Sequence, residues 1–168
     1  GMTPLIACAR FGKLAMSKLL IENKADVDAR DETGLNALHF AACFGHVDLV
    51  KFYLDQPGTN IDCADTKRGL TALILAARAG RVRVVQLLLQ AGAQDSIKCS
   101  LHSRTALHYA AKAGHLASVQ AILQHLCMMK RIYCLEIRDS MQYTPLLLAA
   151  AAGREKTVSI LMSNGCDT

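Results

Sequence analysis

The chain has 168 residues, of which 52% are hydrophobic, with four Phe, four Tyr and no Trp. That length is enough for one domain with a sizeable core, which Leu, Ala and Val must fill. The net charge is +5, and no uninterrupted apolar stretch approaches the roughly 18 residues that a membrane-spanning helix needs, so this segment is not expected to insert into a membrane.

A ten-residue pattern, T-A-L-H-Y-A-A-K-A-G at residues 105–114, occurs five times along the chain. The copies begin at Thr3, Asn36, Thr71, Thr105 and Thr144, so successive starts lie 33, 35, 34 and 39 residues apart. Self-similarity at such a period is the signature of a repeat architecture in which each copy is one structural unit.

Each copy predicts a short helix with its own start and stop. The leading Thr or Asn is an N-cap residue, and Pro4 and Pro145 stand at the first helical position, where no backbone amide is needed. The closing glycine suits the left-handed residue that ends a helix, and adjacent Ala pairs allow neighbouring helices to approach closely. The closing glycines are Gly12, Gly45, Gly80, Gly114 and Gly153.

After each glycine a second apolar pattern with spacings of three and four predicts a second helix. Gly92 and Gly165 are C-cap candidates for two of these helices, whereas Lys24 stands where a glycine is expected in the first copy. The fourth copy lacks that glycine, so its second helix is predicted to continue through residues 126–129 before a loop returns to Asp139. Polar segments at 31–34, 65–69 and 139–142 are predicted to be projecting turns.

These residues resemble the ankyrin-repeat family, whose pattern G-x-T-P-L-H-x-A-A-x-x-G-H, then V-x-x-L-L and G-A-D, is matched in pieces five times. The resemblance implies an all-α repeat solenoid of helix-turn-helix units with β-hairpin or turn fingers. It implies a single domain over 1–168, with repeats at about 1–30, 31–64, 65–98, 99–138 and 139–168. Because the first and last copies begin and stop within a repeat, we expect a piece of a longer protein.

The sequence carries no nucleophile motif, phosphate-binding loop or dinucleotide fingerprint, so we expect no enzyme, no catalytic residue and no cofactor. A metal site is not expected either. His39 and His108 lie two repeats apart, as do His46 and His115, and a stacking distance of about 10 Å per repeat is too long for shared ligands. In the family, His at the His39 and His108 position bonds to the backbone of the neighbouring turn.

Seven cysteines form no C-x-x-C pair and mostly occupy positions that other copies fill with small residues. We expect free thiols and hence an intracellular location, cytoplasm or nucleus, in preference to a secreted disulfide framework. The Met-rich residues 126–129 are interpreted as helix-end packing, with an adaptable binding surface as the alternative.

Charge is distributed unevenly along the chain. Residues 1–65 hold nine acidic and six basic side chains, net −3, whereas residues 66–168 hold five acidic and thirteen basic ones, net +8. Arg78 and Lys112 are expected to form a basic stripe on the concave side, and Arg104 is expected to face solvent beside a finger. Transferred from the family, the partner-binding residues are Glu32, Leu35, Phe44, Lys67, Arg68, Arg78, His102, Arg104, Lys112 and Tyr143.

The leading hypothesis is a non-enzymatic scaffold that binds another protein, with an acidic surface or peptide, through its finger tips and concave inner helices. The alternative is a module that binds an anionic ligand, nucleic acid or inositol phosphate, through the basic C-terminal half. The few aromatic residues argue against nucleic acid, since bases would have little to stack on. A third possibility is an assembly segment of a larger channel, enzyme or receptor. Oligomeric state is left open by these patterns.

Overall fold

The computed structural model describes residues 1–164, which form ten α-helices arranged as five consecutive pairs. The first helices of the pairs, here called the inner helices, are α1 (Pro4–Phe11), α3 (Ala37–Phe44), α5 (Ala72–Arg78), α7 (Ala106–Ala113) and α9 (Pro145–Ala151). The second, outer helices are α2 (Leu14–Glu22), α4 (Val47–Leu54), α6 (Val82–Gln90), α8 (Leu116–Met128) and α10 (Glu155–Ser163). A short 3-10 helix, Ile132–Glu136, precedes α9. The predicted all-helical repeat solenoid is confirmed.

The predicted N-caps hold at the starts of the inner helices. The side-chain oxygen of Thr3 accepts from the backbone amide three residues later at 3.2 Å, and those of Asn36, Thr71 and Thr144 make the same contact at 3.2, 3.4 and 3.3 Å. Each bond satisfies one of the amides that a helix start leaves without an intrahelical partner. The cap residue therefore fixes where α1, α3, α5 and α9 begin, whereas the hydroxyl of Thr105, before α7, contacts Nδ1 of His108 at 2.9 Å.

The glycine that closes each inner helix has a left-handed φ, and in the first four pairs the neighbouring pair also leaves no space for a side chain. Gly114 has φ 77°, and its amide donates to the carbonyl of Ala110 at 3.0 Å. A Cβ at Gly114 would lie 2.7 Å from Cδ of Arg154, a side chain of the next pair. Any larger residue would be strained in the left-handed region and would also displace that neighbour. Of the two glycines predicted to cap outer helices, Gly92 has a left-handed φ of 91°. The other, Gly165, lies outside the described residues.

The fourth pair departs from the others as the sequence predicts. Helix α8 runs to Met128 with Met129 as its cap, and Lys130 takes the left-handed φ of 55° that glycine supplies elsewhere. Lys24 does the same after α2, with φ 64°. The returning segment is anchored to the third pair, since Nη1 of Arg131 lies 3.1 Å from Oδ1 of the buried Asp95. The 3-10 helix in this segment was not predicted.

One continuous apolar core runs from Leu5 to Leu161 through all five pairs. Small residues line the seams between inner helices, where Ala42, Ala77 and Ala111 are fully buried. Ala150 is exposed, because no further inner helix packs beyond α9 within residues 1–164. None of the helices described is both long and apolar enough to span a membrane.

Candidate partner-binding surface

Four projecting turns, here called fingers, connect successive pairs at residues 31–35, 65–70, 99–104 and 139–143. Each is closed by a backbone bond from the amide of its first residue to the carbonyl of its last, for example from Asp139 to Tyr143 at 2.9 Å. In three fingers the first residue is Asp, and its Oδ1 accepts two further amides; in the second finger they belong to Arg68 and Leu70, at 2.7 and 3.1 Å. No strand forms within residues 1–164, and Ala64 and Thr71 make an isolated bridge.

Adjacent fingers are joined to one another by single backbone bonds. The amide of Thr66 donates to the carbonyl of Thr33 at 3.1 Å, and that of Ser100 to Arg68 at 2.8 Å. The amide of Ser140 donates to the carbonyl of His102 at 2.9 Å in the same way. The fingers therefore form a connected row in which exposed side chains have fixed relative positions.

His39 and His108 hold the fingers to the helices, as the resemblance implied. Nδ1 of His108 accepts from the amide of Thr105, and Nε2 donates to the carbonyl of Tyr143 at 3.2 Å. His39 repeats both contacts, with Nε2 3.1 Å from the carbonyl oxygen of Leu70. Burial lowers the pKa of both rings, that of His108 to about 4, so both are neutral at pH 7.

The residue that follows each closing glycine bonds back to the preceding pair, a role that the sequence analysis missed. Nε2 of His46 donates to the carbonyl of Arg10 at 3.2 Å, and Nε2 of His115 to that of Arg78 at 3.1 Å. Arg81 and Arg154 use Nε for the equivalent bonds, at 3.1 and 3.3 Å. These four cross-pair donors bond to the ends of α1, α3, α5 and α7, where the candidate binding residues lie. No group of three His, Cys, Asp or Glu in residues 1–164 is placed to hold a metal ion.

The predicted inner-helix residues lie at the last turns of neighbouring helices. Lys112 is exposed and Arg78 is partly exposed, at equivalent positions of α7 and α5. Phe44 is 42% exposed and stacks on the ring of His46, with the centroids 6.4 Å apart. These side chains form the open side of the inner-helix row.

The expectation that Arg104 faces solvent is wrong. It is 7% exposed, and its Nε donates to Oδ2 of Asp139 at 2.8 Å. In the second and third fingers the position before the N-cap points into the stack, where Leu70 is fully buried; in the fourth finger Tyr143 holds this position and is 37% exposed. Burial opposes ionisation of Asp139, but hydrogen bonds from Tyr143, Arg104 and Met141 outweigh it and lower its pKa. Arg104 is thus part of the finger's interior.

The remaining finger residues divide between surface and interior. Lys67 is exposed, and the side chain of Glu32 is 83% exposed and contacts the N-terminal amino group at 3.0 Å. Arg68 pairs with Asp65 at 3.3 Å while its side chain stays 43% exposed. Tyr143 is 37% exposed, whereas Leu35 packs against the core and His102 is partly buried. Of the ten transferred residues, Arg104 alone is buried; Glu32, Phe44, Lys67, Lys112 and Tyr143 are exposed, and Leu35, Arg68, Arg78 and His102 are partly exposed.

Six of the seven cysteines lie in the described residues, and all six are free thiols. Cys63 and Cys134 are buried, and burial raises the pKa of both thiols. Cys127 is exposed at the end of α8. Cys166 lies outside the described residues.

Comparison with known proteins decides the family. The profile described as "Ankyrin repeats (3 copies)" matches residues 1–65, 45–131 and 96–168, which together span the chain. The chain belongs to the ankyrin-repeat family. Ankyrin repeats generally act as protein-interaction modules and are generally not catalytic.

The curated relatives that match this chain are named for different activities and assemblies. E3 ubiquitin-protein ligase XB3 of Oryza sativa is 40% identical over 137 residues, covering 78% of this chain and 30% of that protein. The 26S proteasome non-ATPase regulatory subunit 10 of Dictyostelium discoideum is 36% identical over 53% of this chain and 38% of its own length. Palmitoyltransferase Hip14 of Drosophila melanogaster is 32% identical over 56% of this chain and 15% of its own length. The chain thus spans well under half of each relative.

Proposed function

We propose that this ankyrin-repeat segment is a non-enzymatic scaffold that binds a protein partner through its finger tips and the open side of its inner helices. The observation that carries the proposal is that side chains at the last two positions before successive closing glycines, among them Phe44, Arg78 and Lys112, are exposed or partly exposed. The cross-pair donors and the finger-to-finger bonds hold these positions rigid, which lowers the entropic cost of binding.

We infer a partner that is acidic where it meets the third and fourth pairs. Arg78, Lys112 and Lys67 all lie in the part of the chain with net charge +8. Their guanidinium and ammonium groups would attract carboxylates and speed association. Under the alternative, the same groups would bind nucleic acid or inositol phosphate, but that surface offers few aromatic rings to bases.

We further propose that each helix pair is one repeat, giving five, with the boundaries predicted from sequence, and that the segment belongs to a longer protein. A reducing location, cytoplasm or nucleus, is proposed on the free thiols. An acidic or peptide-like partner from those compartments is the class to search for.

The first prediction tests the binding surface by charge reversal. The 168-residue chain is immobilised and its partners are captured from cell lysate and identified by mass spectrometry. The variant Arg78→Glu/Lys112→Glu should then bind the purified partner at least about tenfold more weakly, because two attractive contacts become repulsive.

The matched control is Lys18→Glu/Lys51→Glu, which makes the same charge change on exposed positions of the outer helices α2 and α4. Its affinity for the partner should stay within about twofold of that of the unsubstituted chain, since these helices lie outside the proposed surface. Equal losses in both variants, with circular dichroism unchanged, would remove the site from the inner helices. Recovery of nucleic acid that is released as salt rises would favour the anionic-ligand alternative.

A further inference from the structure

Two rows of side chains line the open side of the inner helices, at the last two positions before each closing glycine. The first row is Arg10, Cys43, Arg78, Lys112 and Ala151, and the second is Phe11, Phe44, Ala79, Ala113 and Ala152. None of these ten residues is buried, in the central pairs as well as in the outer ones. Their accessibility is therefore a property of the position in the repeat.

The chemistry of the rows changes between the second and third pairs. Large rings stand in the first two pairs, where Phe11 is 65% exposed and Phe44 is 42% exposed. From the third pair onward the second row holds only Ala, so the cations of Arg78 and Lys112 have no bulky neighbour in that row to obstruct an approaching ligand. The two rings thus lie at one end of the surface, together with Arg10, and the cations of Arg78 and Lys112 lie further along without a ring beside them in these rows.

Both rings are held by neighbouring groups. The guanidinium carbon of Arg10 lies 5.7 Å from the ring centroid of Phe11, and the ring of His46 stacks on Phe44. His46 is in turn fixed by its bond to the carbonyl of Arg10 at 3.2 Å. Exposed rings held in this way supply apolar contact area at little entropic cost, which is typical of binding anchors.

The distribution of charge along the chain also favours apolar contacts at the first two pairs and acidic contacts at the third and fourth. Residues 1–65 carry net −3 and repel a carboxylate, whereas residues 66–168 carry net +8 and attract one. An acidic segment is therefore guided towards α5 and α7, and its apolar side chains are left to cover the rings on α1 and α3.

Resting on the proposed function, we infer that the partner is an extended segment with two apolar side chains over α1 and α3 and two carboxylates over α5 and α7. Packed helix axes lie about 8–10 Å apart, and an extended chain in the polyproline II conformation advances about 3.1 Å per residue with three residues per turn. Every third side chain of such a partner faces the same way, so successive pairs meet every third partner residue. In an extended partner the contact pattern is apolar-x-x-apolar-x-x-acidic-x-x-acidic, read in either chain direction.

Fluorescein-labelled synthetic peptides test this pattern by fluorescence anisotropy. The block peptide Leu-Ser-Gly-Leu-Ser-Gly-Glu-Ser-Gly-Glu and its reversed sequence cover both chain directions. The interleaved control, Leu-Ser-Gly-Glu-Ser-Gly-Leu-Ser-Gly-Glu, has the same composition and charge. One of the block peptides should bind at least about tenfold more tightly than the interleaved peptide, since only the block order places both leucines at Phe11 and Phe44 and both carboxylates at Arg78 and Lys112.

Variants of the chain assign the contacts. Phe44→Ser and Arg78→Glu should each weaken binding of the block peptide, and changing the peptide's Glu residues to Lys should restore binding to Arg78→Glu/Lys112→Glu. Equal affinity of the block and interleaved peptides would overturn the inferred order of contacts. The proposed function would still stand if Arg78→Glu weakened the binding of both peptides. Absence of binding by every peptide up to millimolar concentration would also overturn the inference, while partner capture tests the function separately.

Discussion

Single residues in this chain take their roles from the position they occupy in the repeat, and His108 shows this most directly. The equivalent position holds Ile6, Ile74 and Leu147 in other pairs, so either an apolar group or a neutral imidazole fits. An imidazole adds one hydrogen bond from the N-cap amide of Thr105 and one to a finger, at the carbonyl of Tyr143, and it makes both only in its neutral form. Stability must then depend on pH.

Acid should destabilise the protein through His108. Its folded pKa is lowered to about 4, whereas the unfolded value is near 6.5, so the unfolded state binds the extra proton between these values. The contribution of His108 to the free energy of unfolding is fully present above about pH 6.5. It is lost as pH falls towards 4, which lowers the free energy of unfolding by up to roughly 3 kcal/mol. Urea unfolding from pH 4 to pH 7.5 measures the slope.

The control for this prediction is His108→Ile, which places at this position the residue found at 6 and 74. The variant should be less stable at pH 7 because the bonds to Thr105 and Tyr143 are lost, and its stability should vary less between pH 4 and 6.5. His39 will retain part of the slope, since its pKa is lowered in the same direction. An unchanged slope would mean that other groups carry the acid sensitivity.

A second residue-scale prediction concerns the buried pair of Arg104 and Asp139. Arg104→Leu leaves a carboxylate whose side chain is 0% exposed without its cation, and should cost about 3–5 kcal/mol in urea unfolding. Arg68→Leu breaks the corresponding contact with Asp65 but removes a side chain that is 43% exposed, so it should cost at most about 1 kcal/mol.

The double variant Arg104→Leu/Asp139→Asn separates charge from packing. Asn can still accept the amides of Met141 and Tyr143 through its oxygen and needs no counter-ion, so a substantial part of the lost stability should return. If Arg104→Leu costs no more than Arg68→Leu, the buried pair is not important for stability.

At the scale of the helix, most of the structure could be predicted because its signals are local. The caps at Thr3 and Thr144, the closing glycines and the extension of α8 to Met128 each depend on residues within one turn. Among contacts that join residues more than 30 positions apart, the family resemblance implied those of His39 and His108 with the next finger, but the bond from Arg81 to Cys43 was missed. The presence of His or Arg after four closing glycines was a usable signal for it.

The candidate site was less predictable than the fold. Sequence register placed Phe44, Arg78 and Lys112 correctly at helix ends, but it could not show that Arg104 turns inward. Leu35 and Leu70 occupy the same position before the N-cap, and they indicate an apolar environment there. A charged residue in that environment requires a buried partner, and Asp139 lies 35 residues further along the chain.

The seam between inner helices gives the element-scale prediction. Ala111 is fully buried between α7 and its neighbours, so Ala111→Leu should force the helices apart and cost about 1–3 kcal/mol. Lys112→Ala changes the exposed side of the same turn and should cost less than about 0.5 kcal/mol. Thermal or urea unfolding ranks the two variants, and the reverse order would contradict the register of α7.

Over the whole molecule, each pair packs against its sequence neighbours, and the stack is joined by a single apolar core. Stability in such a stack is approximately a sum of terms for each pair and for each interface between pairs. A substitution that destabilises one pair should therefore affect fewer neighbouring pairs at the end of the stack than in the middle. Leu88 and Leu161 allow the comparison, because they occupy the same position of α6 and α10 and both are 0% exposed.

Leu161→Ala and Leu88→Ala remove the same group, at a cost of about 2–5 kcal/mol each. Native-state hydrogen exchange followed by mass spectrometry should show lost protection in Leu161→Ala confined to α9, α10 and the finger before them, with α1–α6 unchanged. Leu88→Ala lies in the third pair, so it should lower protection on both sides of that pair, because opening there separates the stack into two short pieces. If Leu161→Ala lowers protection uniformly from α1 to α10, the five pairs unfold as one unit and the additive description of the stack is wrong.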